Sequence, residues 1–190
     1  MSVENIVFLL EEKSSKNLID AIAPQILPEG VSLYSFAFDG KSDLEKNIVL
    51  KMRGWLKPNT VFLVMRDQDS ADCKLVKRNL MEKCSESRVP SDRYMVRIAC
   101  HELESFFLGD LDAVRAAGYK ITLSKKFKTG YDNPDSMTNA AEELAKITGQ
   151  AYRKIQGSKD ISCKMKLDGS NKSVSFNMLV SGIRKLVDMC

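Results

Sequence analysis

The 190-residue sequence is 44% hydrophobic and 28% charged, a composition typical of a soluble globular protein with one sizeable core. No apolar stretch approaches the roughly 20 residues of a membrane span, and the first residues do not resemble a signal peptide. Five scattered cysteines without a CxxC pair, and a single histidine, argue against a zinc site and indicate reduced thiols. We therefore expect a cytoplasmic protein without membrane contact.

Apolar segments alternate with helical patterns in the first half of the chain. Short runs rich in β-branched and aromatic residues predict strands at 6–10, 31–38, 61–65 and 94–100. Apolar residues at helical spacing predict helices between them, the first interrupted at Pro24 and the third covering 72–83. Such alternation predicts a parallel sheet with right-handed crossovers.

The second half is more basic and less regular. Residues 1–112 contain 15 Lys/Arg and 18 Asp/Glu, whereas residues 113–190 contain 14 and 7. Helices are predicted at 111–117, at 136–148 and near the end of the chain, where 174–180 leads into the last one; loops are predicted across 150–172. We therefore expect an α/β core at 1–112 and a basic helical and loop extension at 113–190, packed together as a single structural domain.

Paired carboxylates follow three of the four predicted strands. The ends of parallel strands share one edge of a sheet, so these acids can converge there, where α/β proteins bind ligands. Oxygen ligands without sulfur or imidazole suit Mg²⁺ or Mn²⁺, although each pair alone is also compatible with an ordinary polar turn. The pairs are Glu11 and Glu12, Asp67 and Asp69, and Glu102 and Glu104.

Three chemistries use acids in this position. Metal-dependent phosphodiester cleavage or phosphoryl transfer needs several carboxylates and neither cysteine nor histidine, which fits this chain. A receiver-type phosphoacceptor also needs a fifth strand ending in lysine, which is missing, and a haloacid-dehalogenase-type phosphatase needs DxD after the first strand, where Glu11 and Glu12 stand. The motif GxxxxGK[ST] is absent, so any ATPase activity must come from another protein.

A glutamate after the first strand and DxD after the third form the signature of the Toprim domain of topoisomerases, primases and related nucleases. The chain resembles this class, and over nearly its whole length it is similar to a Toprim-like bacterial family of unknown function. That family is related to the Toprim nuclease domain of overcoming-lysogenization-defect proteins and is often encoded beside ABC-type ATPases in anti-phage defence loci. The resemblance is carried by LLEEKS (9–14), LPEGV (27–31), FDGKSDL (38–44), RDQDSADC (66–73), RIACHELESFFLGD (97–110), NPD (133–135) and SVSF (173–176).

The resemblance implies a Toprim-type (Rossmann-like) α/β fold: a mostly parallel sheet of about four strands with helices on both faces, plus a helical C-terminal extension. It also implies a Mg²⁺ or Mn²⁺ site with Glu11, Asp67 and Asp69 as catalytic residues. Toprim domains usually place glycine after the glutamate, where this chain has Glu12, so either Glu11 or Glu12 can be the motif residue. The expected metal ligands are Glu11, Glu12, Asp67, Asp69, Glu102 and Glu104.

Two functions are compatible with these expectations. The first is a Mg²⁺- or Mn²⁺-dependent nuclease that hydrolyses DNA or RNA as a subunit of an ATPase-associated defence system. The alternative is a non-catalytic regulatory or toxin subunit that binds an ABC-type ATPase partner, which the missing P-loop and the Gly/Lys-rich 150–172 segment favour; the oligomeric state is open. In the nuclease, salt-dependent phosphate contacts are expected from Lys13, Lys16, Arg66, Lys125, Lys126 and Lys128.

Overall fold

The computed structural model describes residues 2–128 and 130–188, and this part of the chain forms four strands and eight α-helices. The strands are β1 (Asn5–Leu10), β2 (Ser32–Ala37), β3 (Thr60–Asp67) and β4 (Tyr94–Ala99). The helices of the first half are α1 (Lys13–Ile22), α2 (Lys41–Arg53) and α3 (Cys73–Glu86). Those after β4 are α4 (Glu104–Leu108), α5 (Leu111–Ala116), α6 (Ala140–Ile147), α7 (Lys154–Ser162) and α8 (Val174–Asp188).

The sheet has the strand order β2-β1-β3-β4, and every neighbouring pair is parallel. The two central strands are β1 and β3, whose near-continuous apolar sequences suit burial on both faces. Leu10 lies opposite Met65, and Asp67 lies opposite Ala99, so the carboxyl ends of these strands meet at one edge. The predicted parallel α/β fold is thus confirmed.

Helices cover both faces of the sheet because strand side chains alternate between them. Val7 and Leu9 of β1 face a cluster with α2 and α3, whereas Ile6 and Phe8 face a cluster with α1 and the helices that follow β4. The second cluster contains Phe106 of α4 and the buried apolar side chains of α8, so residues of both halves of the chain share one core. Among the described residues, no helix is both long and apolar enough to cross a membrane.

The prediction of loops across 150–172 was wrong for 154–162, which form α7. This helix has few large apolar residues, and it packs on α1 through small ones: Ser14, Ser15 and Ser158 are all fully buried. Gly157 lies directly against the Tyr152 ring, where an added Cβ would approach ring carbons to 2.4 Å. Close packing of small residues leaves no amphipathic pattern in the sequence, so the helix was missed.

The start of α6 also differs from the sequence-based expectation. α6 begins at Ala140 rather than near 136, because Pro134–Ser136 form a separate 3-10 turn. Asp135 of that turn does not cap α6; its carboxylate accepts hydrogen bonds from the Ser175 backbone N–H at 2.7 Å and the Ser173 hydroxyl at 2.6 Å, at the start of α8. The interruption predicted at Pro24 is confirmed, since α1 ends at Ile22 and a 3-10 turn follows.

Candidate functional site

Acidic side chains from three strand ends meet at the carboxyl edge of the sheet. Glu11 directly follows β1, Asp67 is the last residue of β3, and Glu104 opens α4 shortly after β4. The Asp67 backbone N–H donates to Glu11 Oε2 at 3.0 Å, which ties the two central strand ends together. The parallel topology therefore brings together Glu11, Asp67 and Glu104.

Asp67 and Glu104 are buried carboxyl groups with unused oxygens. Asp67 is 7% exposed and Glu104 is fully buried, and Asp67 Oδ1 and Glu104 Oε2 have no hydrogen-bond partner. Burial raises the pKa of Asp67 well above its usual range, and the charges of Glu104 and Glu11 raise it further. Burial also raises the pKa of Glu104, although Lys154 and the Tyr152 hydroxyl, which donates to Glu104 Oε1 at 2.9 Å, oppose the shift.

Lys154, the first residue of α7, brings a cation to this cluster. Its Nζ lies 2.6 Å from Glu12 Oε1, and it also interacts electrostatically with Glu104 and Asp67. Burial alone would lower the pKa of Lys154, but these carboxylates outweigh burial and raise it, so the ammonium stays protonated. The role of Lys154 was not predicted from the sequence, because the residues of α7 were predicted to form a loop.

A second group of charges surrounds Arg66. Its guanidinium is 6% exposed and lies 2.8 Å from Glu45 Oε1, 3.2 Å from Asp69 Oδ2 and 3.8 Å from Glu11 Oε2. Asp69 also pairs with Lys41 Nζ at 2.9 Å, and its backbone lies in the left-handed region (φ 56°). Burial raises the pKa of Glu11 despite the opposing Asp67 N–H and Arg66. Arg66, predicted to contact phosphate, is instead enclosed among carboxylates.

The two acids after β4 have different surroundings. Glu102 Oε2 accepts a hydrogen bond from the Ala141 N–H at 2.8 Å, so Glu102 caps the N-terminus of α6. Glu104, by contrast, faces Asp67 and Lys154. Within this pair, the side chain that joins the acidic cluster is Glu104.

The predicted phosphate-binding lysines lie in two places. Lys13 is exposed, and it lines an open groove with Glu12 and Lys16; Lys16 Nζ lies 2.5 Å from Asp20 and 2.9 Å from Ser35 Oγ. Three further lysines lie in or next to the 3-10 turn after α5 and are exposed, and the last of them lines a separate pocket of about 280 Å³. These three are Lys125, Lys126 and Lys128.

The arrangement and the free oxygens of these side chains decide whether they fit a divalent metal ion. Across residues 2–128 and 130–188, no three or more His, Cys, Asp or Glu side chains are arranged to hold a metal ion. The free oxygens of Asp67 and Glu104 are nevertheless hard donors, buried and without a partner, which is the chemistry that Mg²⁺ and Mn²⁺ require. Because Mg²⁺ commonly keeps several water ligands, two or three carboxylates suffice, and the donor set fits.

Comparison with known proteins gives the family and supports the fold. Residues 10–184 match the model of a domain of unknown function, DUF4276, and the chain belongs to this family. No curated protein matches the chain significantly. The fold is similar to that of the C-terminal region of the OLD protein of Xanthomonas campestris pv. campestris in two structures, phased with mercury (TM-score 0.55) and with platinum (TM-score 0.54). Both are 13% identical to this chain and cover 98% of it, with 97% and 95% of their own lengths matched.

Proposed function

We propose that this protein is a Mg²⁺- or Mn²⁺-dependent nuclease that hydrolyses phosphodiester bonds in DNA or RNA. The observation that carries the proposal is the pair Asp67 and Glu104, two buried carboxyl groups with free oxygens at the carboxyl edge of a parallel sheet. Buried carboxylate oxygens without a hydrogen-bond partner, Asp67 Oδ1 and Glu104 Oε2, are costly to keep in a fold, and a bound cation offsets that cost. The likeness of the fold to the OLD C-terminal region is consistent with this proposal.

Each acidic residue has a role that its surroundings suggest. Asp67 and Glu104 would hold the metal ion, which when bound polarises the phosphate and lowers the pKa of a bound water. Glu11 is oriented by the Asp67 N–H, and burial raises its pKa, which is the direction of shift that strengthens a carboxylate as a general base. Glu12 would be a further metal ligand once its ion pair with Lys154 is broken. Asp69, whose side chain is 38% exposed, would be the metal ligand nearest to the substrate.

Lys154 and the groove lysines would bind the substrate. The Lys154 ammonium is 44% exposed and faces the same carboxylates as the proposed metal ion, so it can contact the charged phosphate under attack. Lys13 and Lys16 line the groove that leads away from Glu12 and can contact the adjacent phosphates. Arg66 would keep Glu11 and Asp69 in position.

The test is cleavage of supercoiled plasmid, single-stranded DNA and single-stranded RNA with Mg²⁺ or Mn²⁺. We expect cleavage that a chelator stops and that Asp67→Asn abolishes while the far-ultraviolet circular dichroism spectrum stays unchanged. Lys74→Ala, on the exposed surface of α3, is the control and should cut like the wild type. Normal cleavage by Asp67→Asn would refute the proposed site.

A second candidate is a non-catalytic subunit that binds an ABC-type ATPase. It is favoured by the lack of a preformed group of three metal ligands among the described residues and by the exposed apolar side chains of Val174 and Met178, which border a groove beside β4. The nuclease would also work with such an ATPase in anti-phage defence, since the chain has no P-loop. Phage protection retained by an Asp67→Asn/Glu104→Gln variant would decide for the non-catalytic subunit.

A further inference from the structure

We propose that a basic pocket in the C-terminal half binds a phosphate of the nucleic-acid strand, away from the bond that is cut. The inference rests on the proposed nuclease function. The pocket has a volume of about 280 Å³ and lies where α5, the turn at 125–128 and the segment between α7 and α8 meet. Four basic side chains from these three segments line it: Arg115, Lys128, Lys166 and Lys172.

The segments that carry the lysines are fastened to the protein core. Asp110, 8% exposed, accepts hydrogen bonds from the Ala113 N–H at 3.0 Å and from the Lys166 N–H at 3.1 Å. The Lys172 N–H donates to the Gly109 carbonyl at 3.0 Å. An added Cβ on Gly109 would lie 2.0 Å from Asn171 Oδ1, so only glycine allows this close approach. The backbone at Lys166 and Lys172 is therefore held in place before any ligand binds.

The charges around the pocket favour an anion. Lys172 pairs at 2.8 Å with Asp132, whose side chain is 86% exposed, and Asp112, which is 70% exposed, pairs with Arg115 at 2.9 Å and Lys166 at 3.8 Å. Ion pairs this exposed are worth little, so a phosphate can compete for the cations. Asp110 is the other acidic residue that lines the pocket, and its carboxylate already accepts hydrogen bonds from two backbone N–H groups. Four cations therefore face one available carboxylate in the pocket lining.

The shape of the pocket suits a nucleotide better than a bare ion. Leu111 and Leu123 also line it and are partly exposed, so they offer apolar surface to a sugar or base beside the basic groups, whereas Leu108 and Tyr131 are buried beneath them. Arginine and lysine supply phosphate contacts that are independent of sequence, as a nuclease of broad specificity needs. One phosphate with its attached nucleoside therefore fits the chemistry of the pocket.

Helix α4 connects the pocket to the acidic edge. Glu104 is its first residue and belongs to the acidic cluster, whereas Leu108 at its other end and Gly109 line the pocket. Five residues of α-helix span about 8 Å. The pocket is therefore close enough to the acidic edge to receive a nearby phosphate of the strand that is cut.

The test measures binding without cleavage. Fluorescence anisotropy of a labelled single-stranded 12-mer, in chelator and at several salt concentrations, compares the wild type with Lys166→Ala/Lys172→Ala. The matched control is Lys74→Ala/Lys77→Ala, which removes the same charge from the exposed surface of α3. We expect the pocket variant to bind at least tenfold more weakly, with a salt slope smaller by about 1.4, and the control to change less than twofold. Equal weakening in both variants, or in neither, would overturn the proposal.

A second arm separates a strand from a free nucleotide. Adenosine 5′-monophosphate at millimolar concentration should displace the 12-mer from the wild type. The nucleotide can instead bind the wild type tightly, fail to bind Lys166→Ala/Lys172→Ala, and leave the 12-mer in place. In that case the pocket binds a free nucleotide, and the assignment to a nucleic-acid strand is overturned. Because this binding needs no metal ion, the result stands whether or not the purified protein cuts.

Discussion

Lys154 Nζ lies 2.6 Å from Glu12 Oε1, so the start of α7 is joined by an ion pair to the residue that follows Glu11 at the end of β1. The same ammonium interacts with Glu104 and Asp67. One lysine of the C-terminal half thus supplies positive charge to carboxylates that come from all three acidic strand ends. The acidic edge is complete only when α7 is packed in place.

Replacing this lysine should destabilise the protein in a pH-dependent way. Without Lys154 the folded-state pKa values of Asp67 and Glu104 should rise further. Because these carboxyl groups must ionise at high pH, Lys154→Met should lose more stability at pH 8 than at pH 5. Because Lys154 is 44% exposed, solvent screening limits the expected loss at pH 8 to about 1–2 kcal/mol. Urea denaturation at both pH values measures it.

The control for this substitution is Lys146→Met on the surface of α6. Lys146 pairs with Glu143 at 3.7 Å and is 68% exposed, so its removal should change the free energy of unfolding little at either pH. An equal loss at pH 5 and pH 8 in Lys154→Met would mean that Lys154 acts through packing and not through charge.

Asp67→Asn should raise stability and abolish cleavage. The folded-state pKa of Asp67 is raised, so its stabilising contribution is present below the unfolded pKa and is lost as pH rises through the folded one. We therefore expect Asp67→Asn to be more stable than the wild type at pH 8, and this gain to disappear near pH 4. Thermal denaturation across this range tests it.

The same substitution at Asp69 provides the contrast. Asp69 forms ion pairs with Lys41 at 2.9 Å and Arg66 at 3.2 Å, and Asp69→Asn removes both. This variant should be no more stable than the wild type at pH 8. If Asp69→Asn were stabilised as much as Asp67→Asn, the gain would reflect a lower overall negative charge and not the burial of Asp67.

Divalent ions should stabilise the protein most at high pH. Carboxyl ligands must be deprotonated to bind a metal ion, and protons compete strongly where burial has raised their pKa, as at Asp67 and Glu104. Mg²⁺ or Mn²⁺ at ten times its dissociation constant adds about 1.4 kcal/mol. We expect a larger shift in melting temperature at pH 8 than at pH 5.5, and none in Asp67→Asn. A shift that persists in that variant would place the metal elsewhere.

The sheet could be predicted from sequence because its signals are local. The apolar runs of β1 and β3 are continuous, and parallel topology then places Glu11 and Asp67 at one edge. The direction of individual side chains could not be predicted in the same way. Asp69 pairs with Lys41 of α2 and Arg66 pairs with Glu45 of the same helix, and both contacts depend on the folded chain.

The contribution of α7 could not be read from the sequence at all. Its packing on α1 depends on small buried side chains such as Ser14 and Ser158, which have no helical pattern of their own. Lys154 is 142 residues from Glu12 along the chain, and no local motif links them. The fold class followed from the sequence, whereas the cation of the acidic cluster required the tertiary structure.

Glu102 and Glu104 should be separable by matched substitutions. Glu102→Ala removes the cap of α6 and should cost about 1 kcal/mol, whereas Glu102→Gln keeps an acceptor for the Ala141 N–H and should cost less. Glu104→Gln should instead stabilise the protein at pH 8 and abolish cleavage, because it removes a buried charge next to Asp67. Unfolding and cleavage assays on all three variants test this. If Glu102→Gln lost cleavage as completely as Glu104→Gln while keeping its stability, Glu102 would be a metal ligand as well as a cap.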